Sequence, residues 1–451
     1  MIAPKPQARE DSPSLWAHFR AFRRDILSAQ PERLYAAKMA EFRTPFFRSY
    51  LLGEPDLISE VLERRPDDFP KSDRVASALL PLLGKRSVFL TNGQVWRRQR
   101  RIINPAFQGG RIGDCLPAMQ AAIDDALNRL DNGALDVEEF TSRPTADIIF
   151  RTLFSVPITD DIASRTYRAF RTYQETAPLL NGRALLRILP AFHSRKRRLC
   201  AREIRGLTED LVSRRMIEIA AGTAPDDLAT RILSQKDPQT GERFDRAEMV
   251  DQVAIFFLAG HETSAASLAW AIWLLAQDGE TQTRARAEAA RLGKASKPAD
   301  IKKLAFIDAI FAETLRLYPP VPMMVRKATC PERFRDRAIR KGSQLVVSPW
   351  HTHRNPRFWS DADAFCPERF ATDEGRASMR DAYFPYSKGA RICPGAGFAQ
   401  TEAVLALAML LQRFDLSPAS GPDPIPRAHL TVRSANGIRV ALKRRDHSAQ
   451  G

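Results

Sequence analysis

Residues 384–399 read FPYSKGARICPGAGFA, and this stretch places one cysteine, Cys393, at the start of an apolar, helix-forming run. Three of the five cysteines in the chain precede a proline, but only Cys393 also follows two basic residues, Lys388 and Arg391, and precedes a glycine-rich segment. Because Pro394 suits the first position of a helix, we expect Cys393 at the N-terminal end of the helix that follows. The helix dipole and free backbone N–H groups lower the pKa of a thiol there and favour the thiolate.

The residues around Cys393 predict a planar ligand that carries carboxylate groups. Gly389, Gly395 and Gly397 remove side chains near the sulfur, so a flat and bulky group can approach the backbone closely. Arg391 offers a guanidinium fork for a carboxylate. A thiolate ligand beside a carboxylate-bearing planar cofactor points to haem.

A long buried helix is predicted upstream of this stretch. It begins after Asp245, whose side chain can form a capping box with Glu248, and it runs without proline to Gly279, the predicted C-cap. About 33 residues at 1.5 Å each would make it about 50 Å long. It is apolar almost all round, which is typical of a central buried helix, yet its middle carries the polar sequence AGHETS at 259–264.

Other segments predict more helix and a small amount of sheet. The run at 306–318 predicts a helix that ends before a Pro-Pro pair, with Glu313 and Arg316 on one face, where they can pair. The segment SQLVVSP at 343–349 and short valine-rich pieces near 431–441 predict a small β region.

Composition restricts the class of protein. The length of 451 residues would allow two or three domains, but no convincing linker, repeat or low-complexity tract divides the chain. With 69 Lys and Arg against 53 Asp and Glu, the net charge is +16, which suits an acidic partner, a nucleic acid or an anionic membrane surface. No zinc finger, RNP-type or bZIP pattern occurs, so we do not expect a nucleic-acid partner.

Cysteine usage and the N-terminus indicate the compartment. Five scattered cysteines without a CxxC pair argue against a disulfide framework and for a reducing environment. The N-terminal sequence has no apolar run long enough for a signal peptide or for a membrane span of about 20 residues. We therefore expect a cytoplasmic protein without a membrane span.

The segment YSKGARICPG resembles the haem-binding loop of the cytochrome P450 superfamily, whose pattern is F-x-x-G-x-R-x-C-x-G. Gly389, Arg391, Cys393 and Gly395 match this pattern. Tyr386 stands where the family usually has Phe, which keeps an aromatic ring beside the sulfur.

Further motifs follow in the order of that family. WRRQR at 96–100 resembles its W-x-x-x-R, AGHETS at 259–264 its oxygen-activation motif, ETLR at 313–316 its ExxR pair, and FCPERF at 365–370 its PERF element. The resemblance implies a mainly α fold, a large helical domain with a small β-rich lobe. It also implies a single haem domain over residues 1–451, without a fused reductase.

The resemblance further implies the roles of individual residues. Cys393 would be the iron ligand, Glu262 would relay protons and Thr263 would donate a hydrogen bond to iron-bound dioxygen. The residues implied to contact or make room for the cofactor and its oxygen are Trp96, Arg100, Ala259, Gly260, Arg326, Gly389, Arg391 and Gly395. An alternative for Thr263 is a hydrogen bond to the carbonyl four residues earlier in its own helix. Glu313, Arg316 and Arg369 are expected to brace the Cys393 loop.

The function implied is a haem-thiolate monooxygenase with haem b. It would insert one oxygen atom from O2 into a hydrophobic organic substrate, by hydroxylation or epoxidation. The segments at 76–90, 254–260 and 321–325 predict an apolar pocket. Two alternatives stay open: a peroxide-driven peroxygenase or isomerase, which the Glu262 and Thr263 pair disfavours, and a haem-based sensor or ligand-binding protein.

Electrons are expected from a separate partner, an acidic ferredoxin or flavodoxin with its reductase, acting on a monomeric enzyme. In the family, this partner docks where the helix that bears Trp96 and Arg100 meets the Cys393 loop. We expect Arg97, Arg98, Arg101 and Lys388 to be free there for solvent or for the partner.

Overall fold

The computed structural model describes residues 1–9, 17, 20–22, 25–43, 48–108, 110–175, 194–293 and 297–445. Within them the α-helices are α1 (Pro55–Ser59), α2 (Asp73–Leu83), α3 (Gly93–Ile103), α4 (Arg111–Leu127), α5 (Val137–Phe154), α6 (Asp161–Glu175), α7 (Arg195–Ala220), α8 (Leu228–Ser234), α9 (Arg246–Gln277), α10 (Gly279–Ala289), α11 (Pro298–Ile301), α12 (Ala305–Leu317), α13 (Pro349–Thr352), α14 (Asp373–Ala382) and α15 (Ala396–Arg413). None of these helices is both long and apolar enough to cross a membrane.

The described strands are short. They are β1 (Met39–Arg43), β2 (Arg48–Leu52), β3 (Gly133–Asp136), β4 (Met324–Lys327), β5 (Glu332–Phe334), β6 (Arg337–Ile339), β7 (Gln344–Val347), β8 (Phe414–Pro418), β9 (Pro426–Ala428), β10 (Val432–Ser434) and β11 (Arg439–Arg444). One sheet has the order β1-β2-β7-β4, another has the order β3-β11-β8, and β5–β6 and β9–β10 form hairpins. The β regions predicted at 343–349 and near 431–441 are therefore confirmed.

The central helix α9 has the predicted start but not the predicted cap at its end. Asp245 and Glu248 form the capping box, and the helix runs for 32 residues. It packs on α5, α7, α12 and α15 in the core of the helical body. The predicted C-cap at Gly279 is wrong, because the helix ends at Gln277 and Asp278 caps α10, whose first residue is Gly279.

A second apolar core lies beneath the four-stranded sheet. This core contains residues of β2 and β7, residues of the helical turn that follows α1, and Phe384, the first residue of the segment 384–399. The protein therefore has a large helical body and a small β-rich lobe, as predicted, and Phe384 anchors the Cys393 loop in that lobe.

The start of α15 differs from the prediction. The helix begins at Ala396 with Gly395 as its N-cap, so Pro394 does not occupy the first helical position. Pro394 and Gly395 form a turn, in which the Ala396 amide lies 3.4 Å from the Cys393 carbonyl oxygen. Cys393 thus precedes the helix by a turn instead of beginning it.

The predicted pairing of Glu313 and Arg316 is confirmed and extends further. Arg316 donates to both carboxylate oxygens of Glu313 at 2.7 and 2.8 Å, and both side chains are fully buried. Arg369 also donates to Glu313 at 2.9 Å. Arg316 donates to the His353 carbonyl oxygen, and His353 Nε2 accepts from the Phe384 amide, so the network reaches the Cys393 loop.

Candidate haem-binding site

Cys393 lies in a loop held by backbone contacts. Its amide donates to the Tyr386 carbonyl oxygen at 2.9 Å. Gly389 has a φ of +68°, and a Cβ there would collide with the Leu62 carbonyl oxygen. Glycine is therefore needed at 389 for conformation and for close approach to the turn that follows α1. All five cysteines of the chain are free, as predicted.

The thiol of Cys393 does not have the lowered pKa that the sequence predicted. Its surface is accessible, but protein surrounds the sulfur deeply enough that desolvation raises the pKa above its usual value. The Gly395 amide, Arg100 and Lys71 act in the opposite direction. Because a thiol bound to a metal ion is deprotonated outright, an iron ion would reverse this balance.

Four cations lie near this loop: Lys71, Arg100, Arg326 and Arg391. We call them the cationic cluster. Burial and then the charges of Arg326 and Arg100 lower the pKa of Arg391 to about 10, and burial lowers that of Arg326 to about 10. Burial, followed by repulsion from the three arginines, holds the pKa of Lys71 well below its usual value. Within the described residues, no carboxylate forms an ion pair with any member of the cluster.

The arginines of the cluster are positioned by neutral groups. Arg100 donates to the Ile392 carbonyl oxygen at 2.9 Å, and its buried Nε has no described partner. Arg391 lies 4.1 Å over the ring of Trp96 and donates to Asn92 Oδ1 at 2.7 Å. The structure thus brings together Trp96 and Arg100 of one sequence motif and Arg391 of another.

Lys71 is a member of the cluster that sequence analysis missed. Its ammonium donates to the Phe89 carbonyl oxygen at 2.8 Å and lies 3.9 Å from the centre of the Phe89 ring. Its backbone forms an isolated antiparallel bridge with Arg326, and its amide donates to Asn92 Oδ1 at 3.1 Å. No motif marks this lysine, because its place depends on a contact between segments 255 residues apart.

On α9, the predicted oxygen-activation residues point in different directions. Thr263 donates its hydroxyl hydrogen to the Ala259 carbonyl oxygen, which is the alternative that the sequence left open. Ala259 is exposed, and Gly260 and Thr263 beside it on α9 are partly buried. Gly260 packs toward α5, where a Cβ would come within 2.5 Å of Ile149 Cδ1.

Glu262 is buried and engaged with neighbouring elements. It accepts from Thr431 Oγ1 at 2.8 Å through one oxygen and from Gln174 Nε2 at 3.0 Å through the other. Arg433 Nε lies 3.8 Å from the first oxygen. Glu262 therefore ties α6 and the loop before β10 to the central helix.

The expectation that the basic residues of α3 are free is wrong. Arg97 pairs with Asp67, and Arg98 pairs with Glu242 and Glu248 at 2.9 and 2.8 Å. Arg101 forms a two-pronged pair with the fully buried Asp237, at 2.6 and 2.9 Å. Lys388 donates to the Arg380 carbonyl oxygen at 3.0 Å.

The cationic cluster and the Cys393 loop together fit haem. The cationic cluster lacks the negative charge that would balance it, and the two propionates of haem would supply that charge. Cys393 would supply a sulfur ligand next to the same cations, since its charge acts on both Arg100 and Lys71. The described residues contain no group of three or more His, Cys, Asp or Glu side chains suited to a metal ion.

Comparison with known proteins gives the family. The family model described as Cytochrome P450 matches residues 39–441. Cytochrome P450 4A14 of Rattus norvegicus is 30% identical over 424 residues, which cover 87% of this chain and 81% of the relative. Echinocystic acid 23-monooxygenase of Saponaria officinalis is 30% identical over 427 residues, or 87% and 79% of the two chains. Cyclooctat-9-en-7-ol 5-monooxygenase of Streptomyces melanosporofaciens is 29% identical over 392 residues, or 85% and 83%. Because the match spans most of the sequence and includes the Cys393 loop, the chain belongs to the cytochrome P450 family of haem-thiolate monooxygenases.

Proposed function

We propose that this monooxygenase binds haem b and inserts one oxygen atom into a hydrophobic organic substrate by hydroxylation or epoxidation. The observation that carries the proposal is the cationic cluster beside Cys393, which lacks carboxylate partners in the described residues. Haem supplies the redox chemistry and the oxygen-binding iron when it is bound. The remaining steps depend on how the chain holds haem, shapes the pocket and moves protons.

Cofactor binding would divide between two sets of residues. Lys71, Arg100, Arg326 and Arg391 would hold the propionates, with the ring of Trp96 stacked under Arg391. Cys393 would bind iron, and Gly389 and Gly395 would keep its loop close to the macrocycle. The charge of the cluster favours an anionic ligand because each guanidinium is buried in part and lacks a counter-ion.

The substrate would lie among apolar segments. Residues 76–83 belong to α2, residues 254–260 to α9, and residues 321–325 lead into β4. The loop between α2 and α3 is fixed to α9, because the Val88 amide donates to Gln252 and the Arg86 amide to Asp251, both at 2.8 Å. A pocket built from these segments selects for apolar surface. Two relatives are named as monooxygenases of echinocystic acid and cyclooctat-9-en-7-ol, which supports a bulky hydrophobic substrate.

Thr263 and Glu262 would guide protons to the oxygen site. With its hydrogen directed to the Ala259 carbonyl, the Thr263 oxygen keeps lone pairs that can accept a further hydrogen bond. Glu262 would exchange protons with solvent when Gln174 or Thr431 releases it.

An acidic ferredoxin or flavodoxin with its reductase is proposed as the electron donor. The net charge of +16 supports an acidic partner. Arg97 of α3 and Lys388 of the Cys393 loop are partly exposed, whereas Arg98 and Arg101 are more deeply paired. The single-domain organisation, the monomeric state and the cytoplasmic location stay predictions of the sequence.

The proposal is tested by the source of the inserted oxygen. With a hydrophobic substrate that perturbs the haem spectrum, the enzyme should need a reductant and should incorporate one labelled atom from 18O2 into the product. Product formed from labelled hydrogen peroxide without reductant, and none from 18O2 with reductant, would establish the peroxygenase alternative instead.

A further inference from the structure

Arg197 is a buried cation that lies outside the cationic cluster and lacks a counter-ion. The nearly fully buried arginines of the described ranges are Arg197, Arg215, Arg316, Arg326 and Arg354. Arg215, Arg316 and Arg354 each pair with an aspartate or a glutamate. Arg326 belongs to the cationic cluster, whose charge the haem propionates would balance. Arg197 therefore has a buried charge that no described carboxylate compensates.

The guanidinium of Arg197 has a phenol as its partner. Its Nε and Nη2 donate to Tyr173 Oη at 3.1 and 3.0 Å, and its Cζ lies 4.9 Å from the centre of the Tyr173 ring. A neutral oxygen and an aromatic face attract a cation, but neither supplies the negative charge that a buried guanidinium requires. Tyr173 engages two of the five N–H donors of this side chain, so donors remain for a further ligand.

The helix that carries Arg197 does not need a cation at this position. Arg197 lies in the first turn of α7, and its amide donates to Ser194 Oγ, the N-cap side chain, at 3.2 Å. The N-terminal end of a helix carries a partial positive charge, so a cation there is unfavourable and an anion is favourable. The first turn of α7 contains no acidic residue. The helix dipole and the buried guanidinium therefore both favour an anionic ligand.

Arg197 lies close to the oxygen-activation segment of α9. Gln174 follows Tyr173 on α6 and donates to Glu262 Oε2 at 3.0 Å. Burial raises the pKa of Tyr173, and the charge of Glu262 acts in the same direction, so the phenol lies near that carboxylate. Glu262 forms no ion pair with Arg197, and its other oxygen accepts from Thr431 Oγ1 at 2.8 Å. An anionic group bound by Arg197 would thus lie where α6 and α7 meet α9.

We propose that Arg197 binds the carboxylate of a hydrophobic carboxylic acid and that such acids are the substrate class of this enzyme. The carboxylate would accept charge-assisted hydrogen bonds from the remaining guanidinium donors and would neutralise the buried charge. The rest of the molecule would be apolar, as the pocket segments of α2 and α9 require. The inference rests on the proposed monooxygenase function and names its substrate class.

The site is tested by calorimetric titration of the haem-loaded protein with decanoate and with decan-1-ol, which has the same chain length without the charge. The parent should bind decanoate more tightly than decan-1-ol, and decanoate should perturb the haem spectrum. Arg197→Gln should bind decanoate about tenfold more weakly or worse, because charge-assisted hydrogen bonds are lost. It should bind decan-1-ol as the parent does.

Lys196→Gln is the matched control, because it removes an exposed charge from the same turn of α7. This variant should bind decanoate as the parent does. Equal affinities of the parent for the acid and the alcohol, or equal losses in the two variants, would overturn the proposal. Decanoate that binds without changing the haem spectrum would show that Arg197 lies apart from the substrate pocket, which would also overturn it.

Sodium acetate tests whether a free small anion fills the site instead. Acetate has the carboxylate without the apolar chain, so it should bind the parent much more weakly than decanoate does. Acetate binding as tight as that of decanoate would assign Arg197 to a small anion and contradict the proposed substrate class.

Thermal unfolding without ligand separates binding from a structural role of Arg197. Arg197→Met removes a charge that no described group balances, so the ligand-free variant should unfold at the temperature of the parent or above it. Decanoate should raise the unfolding temperature of the parent and leave that of the variant unchanged. A ligand-free variant that unfolds at a clearly lower temperature would show that Arg197 stabilises the fold itself.

The two proposals fail in different ways. Failure of the monooxygenase proposal would appear in the parent enzyme, as absence of product from O2 and reductant. Failure of the Arg197 proposal would appear in the affinities and unfolding temperatures, which require no turnover.

Discussion

Lys71 carries the clearest prediction at the scale of a single residue. Its ammonium is buried beside three guanidinium groups, and its described hydrogen-bond acceptor is the neutral Phe89 carbonyl. A charge in that position is costly unless a carboxylate accompanies it. We therefore expect Lys71→Met to lose haem to apomyoglobin about tenfold faster or more, since a hydrogen bond to a charged group contributes about 1.5–3 kcal/mol.

The exposed Lys341 provides the control for this measurement. Lys341→Met removes the same charge from the surface and should leave the rate of haem loss unchanged. Equal rates for Lys71→Met and the parent would remove Lys71 from the proposed cofactor site.

Glu402 gives a prediction about stability and pH. Its pKa is raised from 4.5 to about 8 in the folded protein, so between these values the folded chain binds more protons than the unfolded chain. The contribution of Glu402 to the free energy of unfolding therefore decreases as pH rises through this window. Urea unfolding between about pH 5 and pH 8 should show Glu402→Gln gaining stability relative to the parent as pH rises. A constant difference would contradict the assignment of a raised pKa.

The buried ion pairs of Glu313 with Arg316 and Arg369, which we call the Glu313 network, give a prediction about how structural elements are held together. Glu313 pairs with both Arg316 and Arg369. Arg316 donates to the His353 carbonyl oxygen, and His353 Nε2 accepts from the Phe384 amide before the Cys393 loop. Removing one partner of a buried ion pair costs about 3–5 kcal/mol because the other charge stays buried. Glu313→Gln should lower the free energy of unfolding by about this amount and should reduce haem content.

Glu368→Gln is the matched control, since Glu368 forms an exposed pair with Arg284. An exposed pair contributes about 1 kcal/mol or less, so this variant should unfold nearly as the parent does. Similar losses in the two variants would show that the Glu313 network does not stabilise the loop.

The elements were predictable where their signals are local. Asp245 and Glu248 lie three residues apart, and their capping box gave the start of α9 correctly. The prediction that Pro394 is the first residue of α15 was wrong, because the start of this helix depends on contacts with distant parts of the chain. Gly389 is pressed against the Leu62 carbonyl, and the Cys393 amide is bonded to Tyr386, so the chain makes a turn before the helix begins. Lys71 was missed for the same reason, since its partner Arg326 lies far along the chain.

Charge pairing over the whole molecule changes the expectation for partner docking. Arg98 pairs with Glu242 and Glu248, and Arg101 pairs with Asp237, and residue order alone could not reveal these contacts between distant segments. Arg97→Glu combined with Lys388→Glu should slow reduction by an acidic ferredoxin about tenfold or more at low salt. The effect should fade as salt increases, and dithionite reduction should be unchanged.

Lys341→Glu is the control for this double variant, because it reverses an exposed charge on the turn between β6 and β7. Arg101→Glu is unsuitable as a docking probe, since it would leave the buried Asp237 facing a second carboxylate. Reduction of the double variant at the parent rate across the salt range would exclude this surface as the docking site.

The most direct test of the account is the absorption spectrum of the reduced, CO-bound protein with and without Cys393. The parent should show the band characteristic of a thiolate ligand, and Cys393→Ala should lose that band even if some haem remains bound. Cys366→Ala, which alters a cysteine also followed by proline, should keep the band of the parent. A thiolate-type spectrum in Cys393→Ala, or its loss in Cys366→Ala alone, would contradict the assignment of Cys393 as the iron ligand.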